Sequence, residues 1–227
     1  MQWSPFEDRL LATSADDGKV NFWVFDDYEG QVGKGHNSSP DMQIEAHSRK
    51  CLSVQWHHSV SELLATNSID KTVKIWDINE DRCDEPIITF TDIPDVPNCI
   101  RWSPDGKMIA GMVKNKSMVI FDPRQESSVI KAAGHAGPRQ HRVRWTDDQT
   151  LLTTGFDQAA KRQWGAWDLR NMEQPLILGP LQEGSGVPYF TFDREYNIAI
   201  ITPRGDNTAG IYHFDKSSPK VLDLLTV

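Results

Sequence analysis

A block of three short predicted strands recurs five times along the 227 residues of this chain. In the first strand of each block an aromatic residue lies two positions after an apolar one: Met1/Trp3, Val54/Trp56, Ile100/Trp102, Val143/Trp145 and Phe190/Phe192. A second, apolar strand follows, and the third strand ends on a closing aromatic residue: Trp23, Trp76, Phe121, Trp167 and Phe214. The closing residues are 53, 45, 46 and 47 positions apart. Self-similarity at a near-constant period indicates a fold built from repeated units.

The spacing is close to the period of about 40–45 residues that is typical of WD repeats, each of which forms one blade of a β-propeller. We therefore predict an all-β WD-repeat β-propeller with almost no helix and no second domain. The predicted repeats cover approximately residues 1–44, 45–90, 91–133, 134–179 and 180–227. The longest spacing includes residues 30–41, whose Gly, Ser and Asn content predicts a surface loop between blades.

The repeat also accounts for the eight tryptophans of the chain. Alternate residues of a strand face the same side of the sheet. An aromatic residue at the end of such a strand can pack between neighbouring blades, where it buries a large apolar area. We therefore expect most of these rings to be structural.

The second repeat carries a polar set at WD-repeat spacing. His47 precedes its first strand, Asp70 lies in a tight turn, and Trp76 closes its third strand. Asp70 can orient the His47 imidazole, whose other nitrogen can reach a hydroxyl of either Thr66 or Ser68. Trp76 offers only its indole N–H as a donor. We predict that this set braces the blade.

The other repeats keep parts of this bracing set. The first repeat retains Asp17 and Trp23, and the fourth retains His135 and Trp167. In the third repeat, Asn115 replaces the turn aspartate and a phenylalanine replaces the tryptophan. We expect the third blade to be braced more weakly.

Composition limits the class of protein. Hydrophobic residues make up 38% and charged residues 25% of the chain, which is typical of a soluble globular protein. The net charge of −8 argues against a general nucleic-acid binder. No run approaches the roughly 20 apolar residues of a membrane span, and no secretory signal is visible. Three cysteines without metal-ligand spacing favour a reduced, cytosolic compartment.

The part of the chain from Pro123 to Asp215 is more specific. In order, it carries blocks that are similar to consecutive segments of the coronin family: Asp122-Pro123-Arg124, His135-Ala136-Gly137-Pro138-Arg139, Leu151-Leu152-Thr153-Thr154-Gly155-Phe156, Arg162-Gln163, Trp167-Asp168, Glu173-Gln174-Pro175-Leu176, Ser185-Gly186-Val187 and Gly205-Asp206. Between Phe156 and Trp167 lies an insertion that ordinary WD repeats lack and coronins share. The chain thus resembles roughly the middle of a coronin propeller.

This resemblance implies a seven-bladed propeller, of which about five blades are expected here. It also implies filamentous actin as a partner, and the branching actin nucleator as a second one. The family's first blade, last blade and oligomerising coiled coil have no counterpart in this sequence. The actin-binding surface of coronins draws partly on the first blade, so we expect the isolated chain to bind filaments weakly or not at all, and to tend to self-associate or to need the missing blades.

Basic residues supply candidate contacts with an acidic partner such as actin. Lys161 and Arg162 lie in the coronin-like insertion, and Arg139 precedes the first strand of the fourth repeat. Arg204 belongs to an Arg-Gly-Asp tripeptide, which we predict to form a tight turn. Guanidinium groups suit carboxylate recognition. Ordinary solvation, or pairing with nearby acids, remains the alternative for each.

No catalytic site, metal site or cofactor is predicted. His47, Asp70 and a hydroxyl could suggest a hydrolase triad, but these residues already have a complete structural use. His57 and His58 are adjacent on a predicted strand and therefore point to opposite faces, which disfavours a shared metal. The leading hypothesis is a non-catalytic, cytoplasmic, cytoskeleton-associated protein that binds actin filaments through propeller loops. The alternative is a generic WD-repeat scaffold unrelated to actin.

Overall fold

The computed structural model describes residues 1–25, 39–79, 83–125, 129–215 and 222–224. Most of the predicted loop at 30–41 falls outside these residues. The described part of the chain contains twenty strands and no helix, which confirms the predicted all-β class. It divides into two compact units, Met1–Pro97 and Asn98–Val227.

The first unit contains two four-stranded antiparallel sheets, which we call blades 1 and 2. Blade 1 consists of β1 (Gln2–Trp3), β2 (Leu10–Ser14), β3 (Val20–Val24) and β4 (Met42–Ile44). Blade 2 consists of β5 (Cys51–Trp56), β6 (Leu63–Ser68), β7 (Val73–Asp77) and β8 (Ile88–Phe90). In both blades each strand pairs with the next one along the chain.

The second unit contains three more sheets of the same type, blades 3, 4 and 5. Blade 3 consists of β9 (Pro97–Trp102), which begins at the last residue of the first unit, β10 (Ile109–Val113), β11 (Ser117–Phe121) and β12 (Val129–Ala133). Blade 4 consists of β13 (Arg142–Trp145), β14 (Thr150–Phe156), β15 (Arg162–Asp168) and β16 (Ile177–Pro180). Blade 5 consists of β17 (Pro188–Asp193), β18 (Ile198–Pro203), β19 (Gly210–Phe214) and β20 (Leu222–Leu224).

The predicted strand triplets correspond to the first three strands of each blade. Every closing aromatic residue lies in a third strand, at or next to its end. The sequence pattern did not reveal the fourth strands, which are three to five residues long. Strands this short share no common sequence marker, and pairing with the preceding strand determines where they form.

Aromatic rings fill the space between neighbouring sheets within each unit. Between blades 1 and 2, Phe22 and Trp56 meet edge-on with ring centroids 5.9 Å apart. Between blades 3 and 4, Trp145 and Trp167 lie in one buried cluster. Trp56 and Trp145 also donate their indole N–H to a carbonyl of the preceding first strand. Packing between blades therefore explains most of the tryptophan content, as predicted from the strand pattern.

The described residues include no helix long and apolar enough to cross a membrane.

Candidate functional site

Blade 2 contains a complete hydrogen-bonded network of four side chains. His47 Nδ1 lies 3.0 Å from Asp70 Oδ2, and His47 Nε2 lies 2.8 Å from Thr66 Oγ1. The Trp76 indole N–H donates to the same threonine oxygen at 2.9 Å. Ser68 instead donates to the Arg49 carbonyl. Of the two hydroxyls that the sequence left open, the bracing one is Thr66.

Burial sets the charge state of this network. Desolvation lowers the pKa of His47 to about 4, although the Asp70 carboxylate acts in the opposite direction. Burial would by itself raise the pKa of Asp70, but the hydrogen bonds from Thr72 and the interaction with His47 outweigh it and leave that pKa below its usual value. At neutral pH the network therefore pairs a neutral imidazole with a carboxylate.

The same four residues do not present a nucleophile. Thr66 has no exposed surface, and its oxygen is bound by both the Trp76 indole and the His47 imidazole. An acyl-transfer triad needs an accessible hydroxyl next to the imidazole. The geometry of this set is that of a brace.

Blade 4 contains a variant of the network. His135 Nε2 lies 2.8 Å from Thr153 Oγ1, which also accepts the Trp167 indole N–H at 2.8 Å. The partner of His135 Nδ1 is the amide of Gln163, at 2.7 Å, in place of a turn aspartate. Burial lowers the pKa of His135 to about 3, with a further contribution from the neighbouring His141. His135 is therefore neutral and paired only with uncharged groups.

Blades 1 and 3 keep only fragments of the network. In blade 1, Trp23 donates its indole N–H to Thr13 Oγ1 at 3.0 Å. Asp17 does not join that pair and instead accepts the Lys19 amide in a turn. In blade 3, Asn115 accepts the backbone N–H and the hydroxyl of Ser117 within its own turn. Bracing through a histidine thus occurs in blades 2 and 4 of the described chain.

The insertion in blade 4 lengthens a hairpin rather than adding a loop. Strands β14 and β15 pair over seven residues, from Thr150 opposite Asp168 to Phe156 opposite Arg162. The turn is closed by a backbone bond and by Asp157 Oδ1, which accepts the Lys161 amide at 2.8 Å. Lys161 lies at the exposed end of this hairpin, while the next residue begins the paired strand.

Arg162 was predicted to be a surface contact, and this expectation is wrong because its side chain is buried. The guanidinium makes a bidentate ion pair with Asp206, with Nη1–Oδ2 at 2.6 Å and Nη2–Oδ1 at 3.0 Å. Its Nε donates to the Gly186 carbonyl at 2.9 Å. Only 1% of the Arg162 side chain is exposed. Arg162 therefore joins the hairpin of blade 4 to blade 5.

The other three basic candidates are exposed and lie at one end of blades 4 and 5. Arg139 extends over the Phe156 ring, with 5.2 Å from its Cζ to the ring centroid, beside the turn that carries Lys161. Arg204 follows β18 in the turn that also holds Asp206, the ion-pair partner of Arg162. We call Arg139, Lys161 and Arg204 the basic end.

Two glycines that let the backbone approach Arg162 and Arg204 were not recognised from the sequence. A side chain at Gly186 would place its Cβ 1.7 Å from the Arg204 carbonyl oxygen. At Gly184, where φ is +148°, a Cβ would lie 2.4 Å from Arg162 Nη1. Only glycine lets the backbone approach this closely. The Ser185-Gly186-Val187 and Gly205-Asp206 blocks marked this region without revealing what they contact.

Within the described residues, no group of three or more His, Cys, Asp or Glu side chains is arranged to hold a metal ion. His57 and His58 were predicted to point to opposite faces of a strand, and this expectation is wrong. Both residues follow the end of β5, and their rings stack with centroids 5.1 Å apart.

Comparison with known proteins gives the wider context. The WD domain, G-beta repeat family model matches residues 38–77. The coronin-like protein of Schizosaccharomyces pombe is 28% identical over 216 residues, which cover 94% of this chain and 35% of that relative. Coronin-2A of Bos taurus is 24% identical, over 96% of this chain and 42% of the relative. The solved WD40 domain of Toxoplasma gondii coronin has a TM-score of 0.88 at 26% identity and covers 98% of this chain.

The chain is similar to coronins over nearly its whole length.

The fold is a WD-repeat β-propeller fold, of which the described residues form five blades. The chain spans 56% of the matched Toxoplasma gondii chain and between about a quarter and two fifths of the curated coronins that it matches. Within the chain, the lengthened hairpin and the Arg162–Asp206 pair hold the basic end, while the His47 and His135 networks brace blades 2 and 4.

Proposed function

We propose that this chain is a non-catalytic binding protein that attaches to filamentous actin through the basic end. The observation that carries the proposal is the placement of Arg139, Lys161 and Arg204, which are all exposed at the same end of blades 4 and 5. The chain as a whole has a net charge of −8, so an acidic partner needs a local basic surface of this kind. The similarity of the chain to coronins supports actin as that partner.

Internal contacts prearrange the basic end. Asp157 fixes the hairpin turn next to Lys161, and the Phe156 ring supports the Arg139 guanidinium. The Arg162–Asp206 pair ties the turn of Arg204 to the hairpin. Binding side chains on prearranged backbone lose less conformational entropy on association. Arg162 thus supports binding without contacting the partner.

The test is co-sedimentation of the chain with actin filaments at low and at moderate salt. We expect Lys161→Glu with Arg204→Glu to reduce the bound fraction at low salt, because charges on the basic end attract the filament electrostatically. The variant should also respond less to added salt, because exposed charges are screened over about 8–10 Å at physiological ionic strength.

Arg194→Glu is the matched control. Arg194 is an exposed residue of blade 5 in the turn between β17 and β18, at the opposite end of β18 from Arg204. Charge reversal there should leave sedimentation unchanged. A basic-end variant that sediments like the wild type, while the wild type binds, would place the actin contact elsewhere. Because the isolated chain is expected to bind weakly or not at all, absence of wild-type binding favours the generic scaffold only where a complete seven-bladed version also fails to sediment with filaments.

We also propose a cytoplasmic, cytoskeleton-associated location, with the branching actin nucleator as a second partner. Both follow from the coronin resemblance. A fluorescent fusion of the chain should colocalise with filament-rich regions, and basic-end charge reversal should disperse it. Pull-down of purified nucleator by the immobilised chain, in the absence of actin, tests the second partner directly.

A further inference from the structure

Three arginines lie together on the first strands of blades 3 and 4. Arg101 is on β9, and Arg142 and Arg144 occupy alternate positions on β13, so that they share one face of that strand. The Trp145 indole N–H donates to the Arg101 carbonyl at 2.9 Å and thereby ties β13 to β9. Arg142 is buried, and the other two are partly buried. All three belong to the second unit of the chain.

The guanidinium groups of this cluster have more donors than protein acceptors. Arg101 Nη1 donates to the Ile100 carbonyl at 2.6 Å, and Arg144 Nη1 donates to the Val143 carbonyl at 3.0 Å. A guanidinium carries five N–H donors. Within the described chain, each of these two arginines thus keeps donors that no protein acceptor takes.

Aromatic rings, rather than acids, surround the positive charges. Arg142 lies over the Tyr189 ring, 4.4 Å from Cζ to the centroid, and donates to the Tyr189 hydroxyl at 2.8 Å. Arg144 lies over the Phe190 ring at 5.6 Å. None of the ion pairs between described residues involves Arg101, Arg142 or Arg144. The cluster is therefore a concentration of positive charge without a protein counter-ion.

The mutual repulsion is visible in the protonation of these groups. Burial, followed by the charges of Arg101 and Arg142, lowers the pKa of Arg144 to about 9, with an opposing influence from Cys99. Burial also lowers the pKa of Arg101, and the charge of Arg142 adds to that effect. A bound anion would relieve the repulsion among these guanidinium groups.

We propose that Arg101, Arg142 and Arg144 form a binding site for a small soluble phosphate anion. Planar guanidinium groups bind phosphate oxygens in pairs, and several of them together match a multiply charged anion. The burial of Arg142 and the partial burial of its neighbours suit a small free anion, since the flat surface of a lipid bilayer cannot reach buried side chains. Phosphate held there stabilises the first strands of blades 3, 4 and 5 together.

Thermal unfolding with inorganic pyrophosphate as the probe tests the site. Sodium chloride at matched ionic strength separates specific binding from screening. We expect a saturable rise in the wild-type melting temperature of about 3 °C near saturation, because a ligand that binds only the folded state stabilises it. Arg101→Gln with Arg144→Gln should abolish the rise. The control Arg194→Gln, which removes an exposed arginine of blade 5, should retain it.

A second measurement uses only the wild-type chain, in case the double variant does not fold. The ³¹P resonance of pyrophosphate should broaden on addition of protein and sharpen again when excess orthophosphate, whose own resonance is separate, competes for the site. Vesicles that contain phosphatidic acid should not retain the chain through this cluster. A melting-temperature rise equal to that in sodium chloride, an undiminished rise in the double variant, or vesicle binding that the double variant removes would each overturn the proposal.

Discussion

Arg162 of blade 4 and Asp206 of blade 5 form a bidentate ion pair in which the guanidinium is buried and the carboxylate is about a quarter exposed. The pair spans 44 residues of sequence and is reinforced by bonds from the same guanidinium to the Gly186 and Glu183 carbonyls. A buried charge of this kind depends on its partner, because the interior offers it no water. The pair therefore controls how the lengthened hairpin of blade 4 meets the adjoining turn of blade 5.

Asp206→Ala should destabilise the chain by about 3 kcal/mol, since it leaves the buried Arg162 charge uncompensated. The matched control is Asp168→Ala, which also breaks a bidentate pair with an arginine, but with the exposed Arg170. Exposed pairs contribute at most about 1 kcal/mol. Free energies of unfolding from urea titrations should differ accordingly. Similar losses in the two variants would show that the Arg162 charge is not buried in solution.

Asp70→Ala should cost roughly 1–3 kcal/mol, because it removes the acceptor of the buried His47 Nδ1–H and of the Thr72 amide and hydroxyl. Asp16→Ala is the reference variant. The Asp16 side chain is 83% exposed and pairs with Lys50 at the surface. Its cost should stay within about 0.5 kcal/mol. Equal denaturation midpoints would show that the blade 2 brace does not form.

Asp147 holds the turn between β13 and β14. Its Oδ1 accepts the backbone N–H groups of Gln149 and Thr150 at 2.8 and 2.7 Å. An aspartate that accepts these backbone N–H groups stabilises the turn. Its removal should therefore lower the free energy of unfolding more than an ordinary surface substitution does. We therefore expect Asp147→Ala to lie between Asp16→Ala and Asp70→Ala in the same titration series.

Stability should fall as the pH drops from about 6.5 to 4. Burial is the main cause that lowers the pKa of three histidines, to about 4 for His47 and His141 and about 3 for His135. An unfolded histidine has a pKa near 6.5. The unfolded chain thus binds more protons within this window, so the stability present above pH 6.5 is lost as the pH falls towards the folded pKa values. Each histidine contributes on the order of 2 kcal/mol of this loss.

Urea titrations at pH 7.5, 5.5 and 4.5 measure this effect, and His141→Phe tests its origin. The Nε2 atom of His141 is buried without a hydrogen-bond partner in the described residues, but the ring also hydrogen-bonds the Gly137 backbone, so phenylalanine should cost about 1 kcal/mol at pH 7.5. The variant should lose less stability than the wild type on acidification. An identical pH dependence in both proteins would exclude His141 from the cause.

Local patterns in the sequence predicted the blades well. The closing aromatics found the third strands because a buried ring at a strand end is a local signal with a fixed period. The partners of His47 were predicted from their spacing within one repeat. Only the structure shows that the hydroxyl bound by His47 is that of Thr66 rather than Ser68. Both hydroxyls lie on β6, two residues apart. Which of them contacts the imidazole depends on the path of the segment before β5 that carries His47.

Contacts between blades could not be predicted in the same way. The insertion extends β14 and β15, which moves Arg162 from a turn into a paired strand. Whether an arginine in that position is buried depends on a carboxylate in the next blade, and no local pattern specifies Asp206. The arginines of β9 and β13 posed the same difficulty, because their proximity follows from strand packing between two sheets.

The two bracing histidines should be in opposite neutral tautomers. In blade 2, the Asp70 carboxylate can only accept, so His47 carries its proton on Nδ1 and accepts the Thr66 hydroxyl at Nε2. In blade 4, Thr153 donates its hydroxyl to the Gly165 carbonyl at 3.2 Å. Thr153 must then accept from His135, whose proton is therefore on Nε2.

Long-range ¹H–¹⁵N correlation spectra of the imidazole rings distinguish the two tautomers directly. Gln163→Glu replaces the amide that donates to His135 Nδ1 with a carboxylate, which only accepts. We expect this variant to move the His135 proton to Nδ1 and to raise the pKa of His135, because a neighbouring negative charge favours the imidazolium. The His47 signals serve as an internal control and should not change. Identical tautomers for His47 and His135 in the wild-type spectrum would contradict the hydrogen-bond directions assigned to Thr66 and Thr153.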